Sequence, residues 1–356
     1  MTTADVVDPS AYAPRLTAAD LGGTVPDLMA APPVRWGVLG AGNIAASFSD
    51  GVRLRTQGTV VAVGSRDAVK AQAFADAHAP AARAHGSYEE LVADPDVEVV
   101  YVATPHSHHL EHALLAIRAG KHVLVEKPLT RSAAESRALL DAAREAGVFC
   151  MEALWTRFLP HVAAIRGVIA RGEIGEVRTV VADFAILKPF DPKHRLYAPE
   201  LAGGALLDLG IYPLQLAHDL FGVPDVLTAR GTLAETGTDD HVALVLEWAG
   251  GRQALLHTST RVAGPVAATI LGTEGRIEIP RGFHAPVDFR VERTDGSTST
   301  YTSPQGEGKA YEAAEVARLL AAGATQSERH PWSDTLELME LLDEARRQLG
   351  VVYPGE

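Results

Sequence analysis

A lysine between an acid and a proline, Glu126-Lys127-Pro128, closes an apolar run at His122–Val125. If that run is a parallel strand, its carboxyl end is where open α/β sheets bind ligands. An ammonium group there can lie beside a nicotinamide and stabilise the negative charge that develops on a substrate oxygen during hydride transfer. Taken alone, the three residues fit a surface salt bridge before a proline-capped helix better. Upstream, Gly40-Ala41-Gly42-Asn43-Ile44-Ala45 follows the run Trp36–Leu39 and opens a helical stretch. This is the G-x-G-x-x-G/A pattern in its strand-to-helix context. Gly40 permits the tight turn, Gly42 lets the backbone approach a pyrophosphate, and Ala45 keeps the helix near the sheet. The free N–H groups at the helix start, at Asn43 and Ile44, suit phosphate. A glycine-rich connector with no ligand is the weaker reading in this position.

The type of nucleotide is decided where the run Thr59–Gly64 ends. NAD sites carry Asp or Glu there for the ribose 2′-hydroxyl, whereas this chain has Ser65, Arg66 and, one turn on, Lys70. A hydroxyl and two cations suit a 2′-phosphate, and Arg66 can stack on adenine. NADP is expected; Asp67, just beyond, keeps NAD open. Solvated cations at a helix start are the ordinary alternative. His108-His109-Leu110-Glu111-His112 matches the H-x-x-E-H zinc-hydrolase pattern, with His106 nearby. It lacks an evident third ligand at a characteristic spacing, so histidines at a helix start beside the cofactor are expected, and no metal.

These groups need a scaffold. From Val34 to Glu152 apolar runs alternate with helical stretches: runs at 36–40, 59–64, 97–103, 122–125 and 148–151, helices at 68–77, 109–119 and 133–146. Strands apolar on both faces, separated by helices, imply a parallel sheet covered on both sides. After Leu154 the segments 177–186, 226–234, 241–248, 252–261, 266–272 and 289–294 alternate in polarity, with turn dipeptides Gly250-Gly251 and Asp295-Gly296. They imply a large, mostly antiparallel sheet in an α+β unit. Amphipathic stretches at 311–322 and 333–349 read as helices. Residues 1–33, with prolines at 9, 14, 26, 32 and 33, read as a poorly ordered leader arm with a short helix around Ala18–Leu21. The expected division is 1–33, a dinucleotide-binding domain at 34–153, and a substrate-binding and oligomerisation domain at 154–356 whose last helix packs back on the first.

Bulk properties narrow the function. The 356 residues suit about two domains at roughly 150 residues each. A net charge of −13 argues against nucleic acid and polybasic membrane binding. An apolar share of 47% gives ample core. One cysteine, Cys150, permits no internal disulfide and fits a reducing compartment. The first residues show no secretory signal and no stretch has the length of a membrane span. A cytoplasmic protein is expected.

Three further motifs give the pattern its identity: Ala103-Thr104-Pro105-His106; Glu152-Ala153-Leu154-Trp155-Thr156-Arg157-Phe158-Leu159-Pro160; and Gly203-Gly204-Ala205-Leu206-Leu207-Asp208-Leu209-Gly210-Ile211-Tyr212-Pro213. With the glycine loop and Glu126-Lys127-Pro128, the chain over residues 34–350 resembles the glucose–fructose oxidoreductase / inositol dehydrogenase (Gfo/Idh/MocA) family. It is most similar to the dihydrodiol and D-xylose dehydrogenase branch. The resemblance implies a Rossmann domain followed by an α/β domain whose open sheet forms the dimer face. It implies that Lys127 is catalytic, with Asp208 and Tyr212 supplied by the second domain. Tyr212 stands where many relatives carry His, as in the sugar- and diol-oxidising branch, in which it serves as acid/base. The resemblance places Trp155 and Arg157 at the NADP site and a histidine at the position of His109; Thr104, Pro105 and His106 belong to the loop that approaches the nicotinamide.

Residue chemistry agrees. Asp208 and Tyr212, four apart, share a face if the segment is helical, although Pro213 is tolerated only in a first turn. A neighbouring lysine cation favours a phenolate. Tyr212 then takes a hydroxyl proton while Lys127 holds the oxygen and Asp208 orients one of them. A buried tyrosine with a satisfied hydroxyl is the plain alternative. Arg195, before the glycine turn, is read equally as a substrate or cofactor contact or as an interface residue. The expected function is NADP-dependent hydride transfer to or from a sugar, sugar derivative or small cyclic diol, in a homodimer or homotetramer. A non-catalytic NAD(P)-binding regulator is the alternative.

Overall fold

The computed structural model describes residues 15–16, 25–304 and 306–356. The helix expected around Ala18–Leu21 lies outside the described residues. The described residues of the leader arm, 15–16 and 25–33, differ from the expected loose tail. Strand β1 (Arg15–Leu16) pairs parallel with the strand Thr298–Tyr301, and Leu28 and Ala31 are buried in the first core.

The dinucleotide-binding unit runs β2 (Arg35–Leu39), α1 (Asn43–Arg55), β3 (Thr59–Gly64), α2 (Ala68–His78), β4 (Arg83–His85), α3 (Tyr88–Ala93), β5 (Val99–Val102), α4 (His109–Arg118), β6 (His122–Glu126), α5 (Ala133–Ala146) and β7 (Cys150–Ala153). All six strands are parallel, in the order β4-β3-β2-β5-β6-β7. The central strands read as unbroken apolar runs because helices cover both faces; Val38, Leu39, Val100, Tyr101, Val123 and Leu124 are all fully buried. The order reverses between β2 and β5, and the loops after β2, β5 and β6 meet at that crevice. Strand β4 and helix α3 had no periodicity to reveal them. Side chains add to the pairing of β4 with β3: Arg83 donates to Asp94, and His85 Nε2 lies 3.0 Å from Asp94 Oδ2.

Beyond β7 come α6 (Pro160–Ala170), β8 (Val177–Ala185), a π-helical turn at Leu206–Gly210 continuing into α7 (Ile211–Phe221), then β9 (Val226–Leu233), β10 (Asp239–Trp248), β11 (Arg252–Ser259), β12 (Ala268–Gly272), β13 (Gly275–Ile279), β14 (Phe289–Arg293) and β15 (Thr298–Tyr301). The second sheet has the order β1-β15-β14-β13-β12-β8-β11-β10-β9 and is antiparallel except for the β1–β15 and β8–β11 pairs. One face is core, with Val180, Ala182, Leu244 and Leu256 buried against Leu206 and Leu214. The other is open: Val245, Leu255 and Val181 form one cross-strand row, and Leu255 and Val181 are exposed.

The chain then returns to the first sheet. Helix α8 (Lys309–Ala321) packs on α1 within the Rossmann core, and α9 (Trp332–Leu349) packs on α5 and β9. Trp332 Nε1 donates to the Cys150 carbonyl at 2.8 Å, and Asp343 Oδ2 accepts from Ala133 N at 2.8 Å. One Rossmann face is thus closed by residues more than 150 positions past β7.

The π turn is clamped at its start, where Leu206 N donates to buried Asp239 Oδ2 at 2.6 Å. Gly204 makes this approach possible: its φ is +130°, and a Cβ would lie 2.3 Å from Asp239 Oδ1. A Gly204→Ala chain is expected to lose about 2 kcal/mol or more, a fall of about 5 °C in Tm. Thermal unfolding checks this; an unchanged Tm counts against the clamp.

Candidate active site

A cavity of about 920 Å³ opens along the carboxyl ends of the parallel strands. The β2–α1 turn forms one end, with Gly40, Gly42, Asn43 and Ile44 in the lining. Gly40 makes the turn at φ +107°. Gly42 precedes α1 with no side-chain cap, and nothing lies within 4 Å of where its Cβ would point. The helix start therefore offers free N–H groups and an open cradle, which fits a pyrophosphate. Ser65, Arg66 and Lys70 line the same cavity. Asp67 also borders it, but its carboxylate is engaged as the cap of α2, accepting from Val69 N at 2.9 Å and Lys70 N at 3.2 Å.

Thr104, Pro105, His106 and His109 line the middle. His109 is fixed between the carbonyls of Pro128 at 2.9 Å and Thr104 at 2.8 Å, which ties the loop after β5 to the loop after β6. His106 Nδ1 lies 3.2 Å from the Ala202 carbonyl, and Nε2 lies 3.7 Å from Asp208 Oδ1. Burial pushes the His106 imidazole down to about 3, so it is neutral at pH 7 despite Asp208.

At the far end Glu126, Lys127, Trp155, Arg195, Asp208 and Tyr212 meet. Lys127 Nζ donates to the Asp208 carbonyl at 2.6 Å and to Oδ1 at 3.1 Å. The carbonyl in the first bond belongs to the π turn, so the lysine meets backbone and side chain of one residue. Arg195 grips the carboxylate with two nitrogens, at 2.9 Å and 3.0 Å. Burial alone would raise the Asp208 carboxyl, but the Lys127 and Arg195 cations hold it well below the usual range. Burial likewise opposes charge on Lys127, and Asp208, Tyr212 and Glu126 together outweigh it, so the ammonium is retained. Its Nζ sits 4.8 Å from the Tyr212 ring centre, and Tyr212 OH accepts from Trp155 Nε1 at 3.2 Å.

Several lining residues carried no sequence signal. Phe184 from β8 and His284 from the loop after β13 pack on Tyr212, with ring centres 5.3 Å and 4.9 Å away. Burial pushes His284 down to about 4, leaving it neutral. Behind Glu126 lies Lys309, its Nζ 3.1 Å from Glu126 Oε1. Glu126 also accepts a hydrogen bond from Tyr101 OH. Burial works against the Glu126 charge, and Lys309 holds its carboxyl low. Only their meeting in space distinguishes these residues.

Arg157 corrects the expectation that it would meet the cofactor. It is fully buried and does not line the cavity; Asp334 lies 2.7 Å away, Asp219 3.3 Å and His218 3.1 Å. It shares the 3₁₀ turn Trp155–Phe158 with Trp155, and two steps around so tight a turn face a different side. Arg157 therefore ties α7 and α9 together. The ligand atoms of His108, Glu111 and His112 lie within 4.8 Å of one another, so Glu111 is the third group the spacing did not show. None of the three lines the cavity, and His112 Nδ1 is engaged with Thr104 Oγ1 at 3.0 Å.

A parallel sheet with a phosphate-type turn at its switch point, and a lysine at a neighbouring strand end, defines a dinucleotide-binding oxidoreductase. Residues 34–154 match the model of the oxidoreductase family with an NAD-binding Rossmann fold, and 162–278 match that of the GFO/IDH/MocA C-terminal domain. The chain is 39% identical to trans-1,2-dihydrobenzene-1,2-diol dehydrogenase of Danio rerio, over 90% of this chain and 98% of that protein. It is 36% identical to D-xylose 1-dehydrogenase (NADP(+)) of Hypocrea jecorina, over 90% and 93%. A 3-ketoreductase from Actinomadura kijaniata, solved with NADP and TDP-benzene, superposes at a TM-score of 0.78 with 28% identity, covering 89% of this chain and 98% of that one. The chain belongs to the Gfo/Idh/MocA oxidoreductase family and is an enzyme. Among the described residues, no helix is long and apolar enough to cross a membrane.

Because the Asp208 carboxyl is depressed on folding, its stabilising effect is present above the ordinary carboxylate pKa of about 4 and is lost as pH falls below it. Asp208→Asn is expected to lower the unfolding free energy by about 3 kcal/mol at pH 7, since it strands buried Lys127. The deficit should shrink toward pH 3. Urea denaturation at both pH values tests it; a deficit constant with pH rejects the assignment.

Proposed function

We propose that this enzyme is an NADP-dependent dehydrogenase of sugars, sugar derivatives or small cyclic diols, with Lys127 and Tyr212 as its reacting pair. The observation that carries the reading is that these two side chains, 85 positions apart, face one cavity with the glycine loop. A nicotinamide held beside Lys127 by the glycine loop and the Thr104–His106 loop would supply the hydride acceptor or donor. In the oxidative direction, Tyr212 takes the proton from the substrate hydroxyl. Trp155 Nε1–H bonds to the Tyr212 oxygen and fixes its position. Lys127, kept charged by Asp208, hydrogen-bonds the substrate oxygen and offsets its negative charge. Arg195 shares Asp208 and borders the same space, where it binds a further hydroxyl. A non-catalytic regulator has no chemical use for this pair.

Support for NADP over NAD comes from Ser65, Arg66 and Lys70 in the lining and from Asp67 being engaged as a helix cap. Two of the relatives point the same way: the xylose dehydrogenase is named for NADP(+), and the ketoreductase was solved with NADP. The named dehydrogenases act on a diol and on a sugar, which supports the substrate class. We further propose a cytoplasmic homodimer or homotetramer, joined through the open face with Val181 and Leu255.

Tyr212→Phe is expected to lower kcat at least about 100-fold, in line with proton-transfer contributions, with little change in NADP affinity. The assay is NADP⁺ reduction over a panel of sugars and cyclic diols at alkaline pH; full turnover removes Tyr212 from the mechanism. Arg66→Ala is expected to weaken NADP about 10-fold or more, as loss of a charge-assisted contact does, while sparing NAD. Titration with both nucleotides decides it; equal losses reject 2′-phosphate recognition.

A further inference from the structure

We infer that Lys309 is a positioning residue of this active site: its ammonium fixes the Trp155 indole that donates to Tyr212, and engages the Glu126 carboxylate so that the Lys127 ammonium is left to Asp208. The inference deepens the proposed function and rests on Tyr212 and Lys127 being the reacting pair.

Lys309 opens α8, far along the chain from the other parts of the site. Its ammonium is almost completely buried, which is costly unless the charge is used. Three groups meet it. Glu126 Oε1 lies at 3.1 Å, the Trp155 ring centre at 4.9 Å, and Glu312 Oε1 at 3.9 Å. Burial pushes the Glu312 carboxyl up to about 8, and neither of its oxygens has a hydrogen-bond partner. Glu312 thus competes weakly for the Lys309 charge, which lies at hydrogen-bond distance from Glu126 and over the indole. The residue before Lys309 adds to the clamp: a Cβ on Gly308 would lie 2.4 Å from Trp155 Cζ3, so the backbone itself presses on the indole.

Two consequences reach the reacting pair. A Trp155 held from α8 keeps its Nε1–H aimed at the Tyr212 oxygen. A Glu126 carboxylate engaged by Lys309 and Tyr101 leaves the neighbouring Lys127 ammonium to Asp208. Without Lys309, Glu126 becomes a buried carboxylate one residue from Lys127 with a cation still to find.

The test reads the indole directly. In the ¹⁵N-labelled, cofactor-free full chain, four tryptophans give four indole N–H signals. Trp155→Phe assigns one of them, and Tyr212→Phe shifts it. Lys309→Met is expected to shift the same signal and to lower kcat about 10- to 100-fold, as a misplacement of about 1 Å does, with NADP affinity within about threefold of the parent. Lys309→Arg keeps the charge and the contact with the ring, and is expected to restore both. Glu126→Gln with Lys309→Met removes the stranded carboxylate. Measured against Glu126→Gln alone, it should match the thermal stability but not the indole position or kcat. The inference is overturned if Lys309→Met leaves the signal in place. It is also overturned if the double variant matches Glu126→Gln in kcat, because Lys309 then only balances a charge. The signal is read without cofactor or substrate, so a fully active Tyr212→Phe enzyme would overturn the proposed function and leave this result standing or falling by itself.

Discussion

The contact on which the rest depends is the grip of Asp208 on the Lys127 ammonium, through backbone carbonyl and carboxylate together. A buried lysine tends to lose its proton, and a buried aspartate tends to gain one. Each prevents that in the other, and Arg195 adds a second cation so that the carboxylate remains charged. The carbonyl that the lysine takes belongs to the wide turn, so backbone and side chain of Asp208 together hold one fixed cation in the site.

That contact joins the two sheets, so the sheets must be held in register. The burden falls on the segments that return after the second sheet. Helix α9 packs on α5 and β9 at once, Arg157 fixes α7 to α9 from beneath, and α8 closes the face of the Rossmann core beside α1. The fold therefore has no simple order of parts along the chain. The residues that close the dinucleotide-binding half come last in sequence, and the site draws on residues from Gly40 to His284, with Lys309 behind it.

What could be read from the sequence follows this division. Local signals were legible: the glycine loop, the both-sided apolar strands and the alternating second sheet each depend on neighbours a few residues away. Gly40, Ser65, Lys127, Asp208 and Tyr212 all reach the one cavity for that reason. Strand β4 was invisible because three residues carry no period, and it is held by pairing with β3 and by a salt bridge from Arg83 to Asp94 at the end of α3. Phe184 looked like any strand aromatic, His284 sat in an unmarked loop, and Lys309 lay just before the helix expected at 311–322. Arg157 failed in the opposite way: its motif was right, but the tightness of a 3₁₀ turn decided which way it faced. Chemistry written in a motif survives translation into space only when the local geometry around it is also fixed.

The cavity combines two kinds of wall, and the combination bears on the proposed substrates. Lys127, Asp208 and Arg195 form a charged region, while Trp155, Phe184, Tyr212 and His284 form an aromatic one; His106 and His284 are kept neutral by burial. A substrate that is polar all round would leave the aromatic surface unmatched, and a plain hydrocarbon would strand the cations without partners. A ring bearing hydroxyls along its edge has C–H faces for the aromatics and oxygens for the charged groups. Tyr212 belongs to both walls, as the residue with a flat apolar body and a reactive oxygen at its tip. In the proposed reaction the side chain that takes the proton would also pack against the substrate ring.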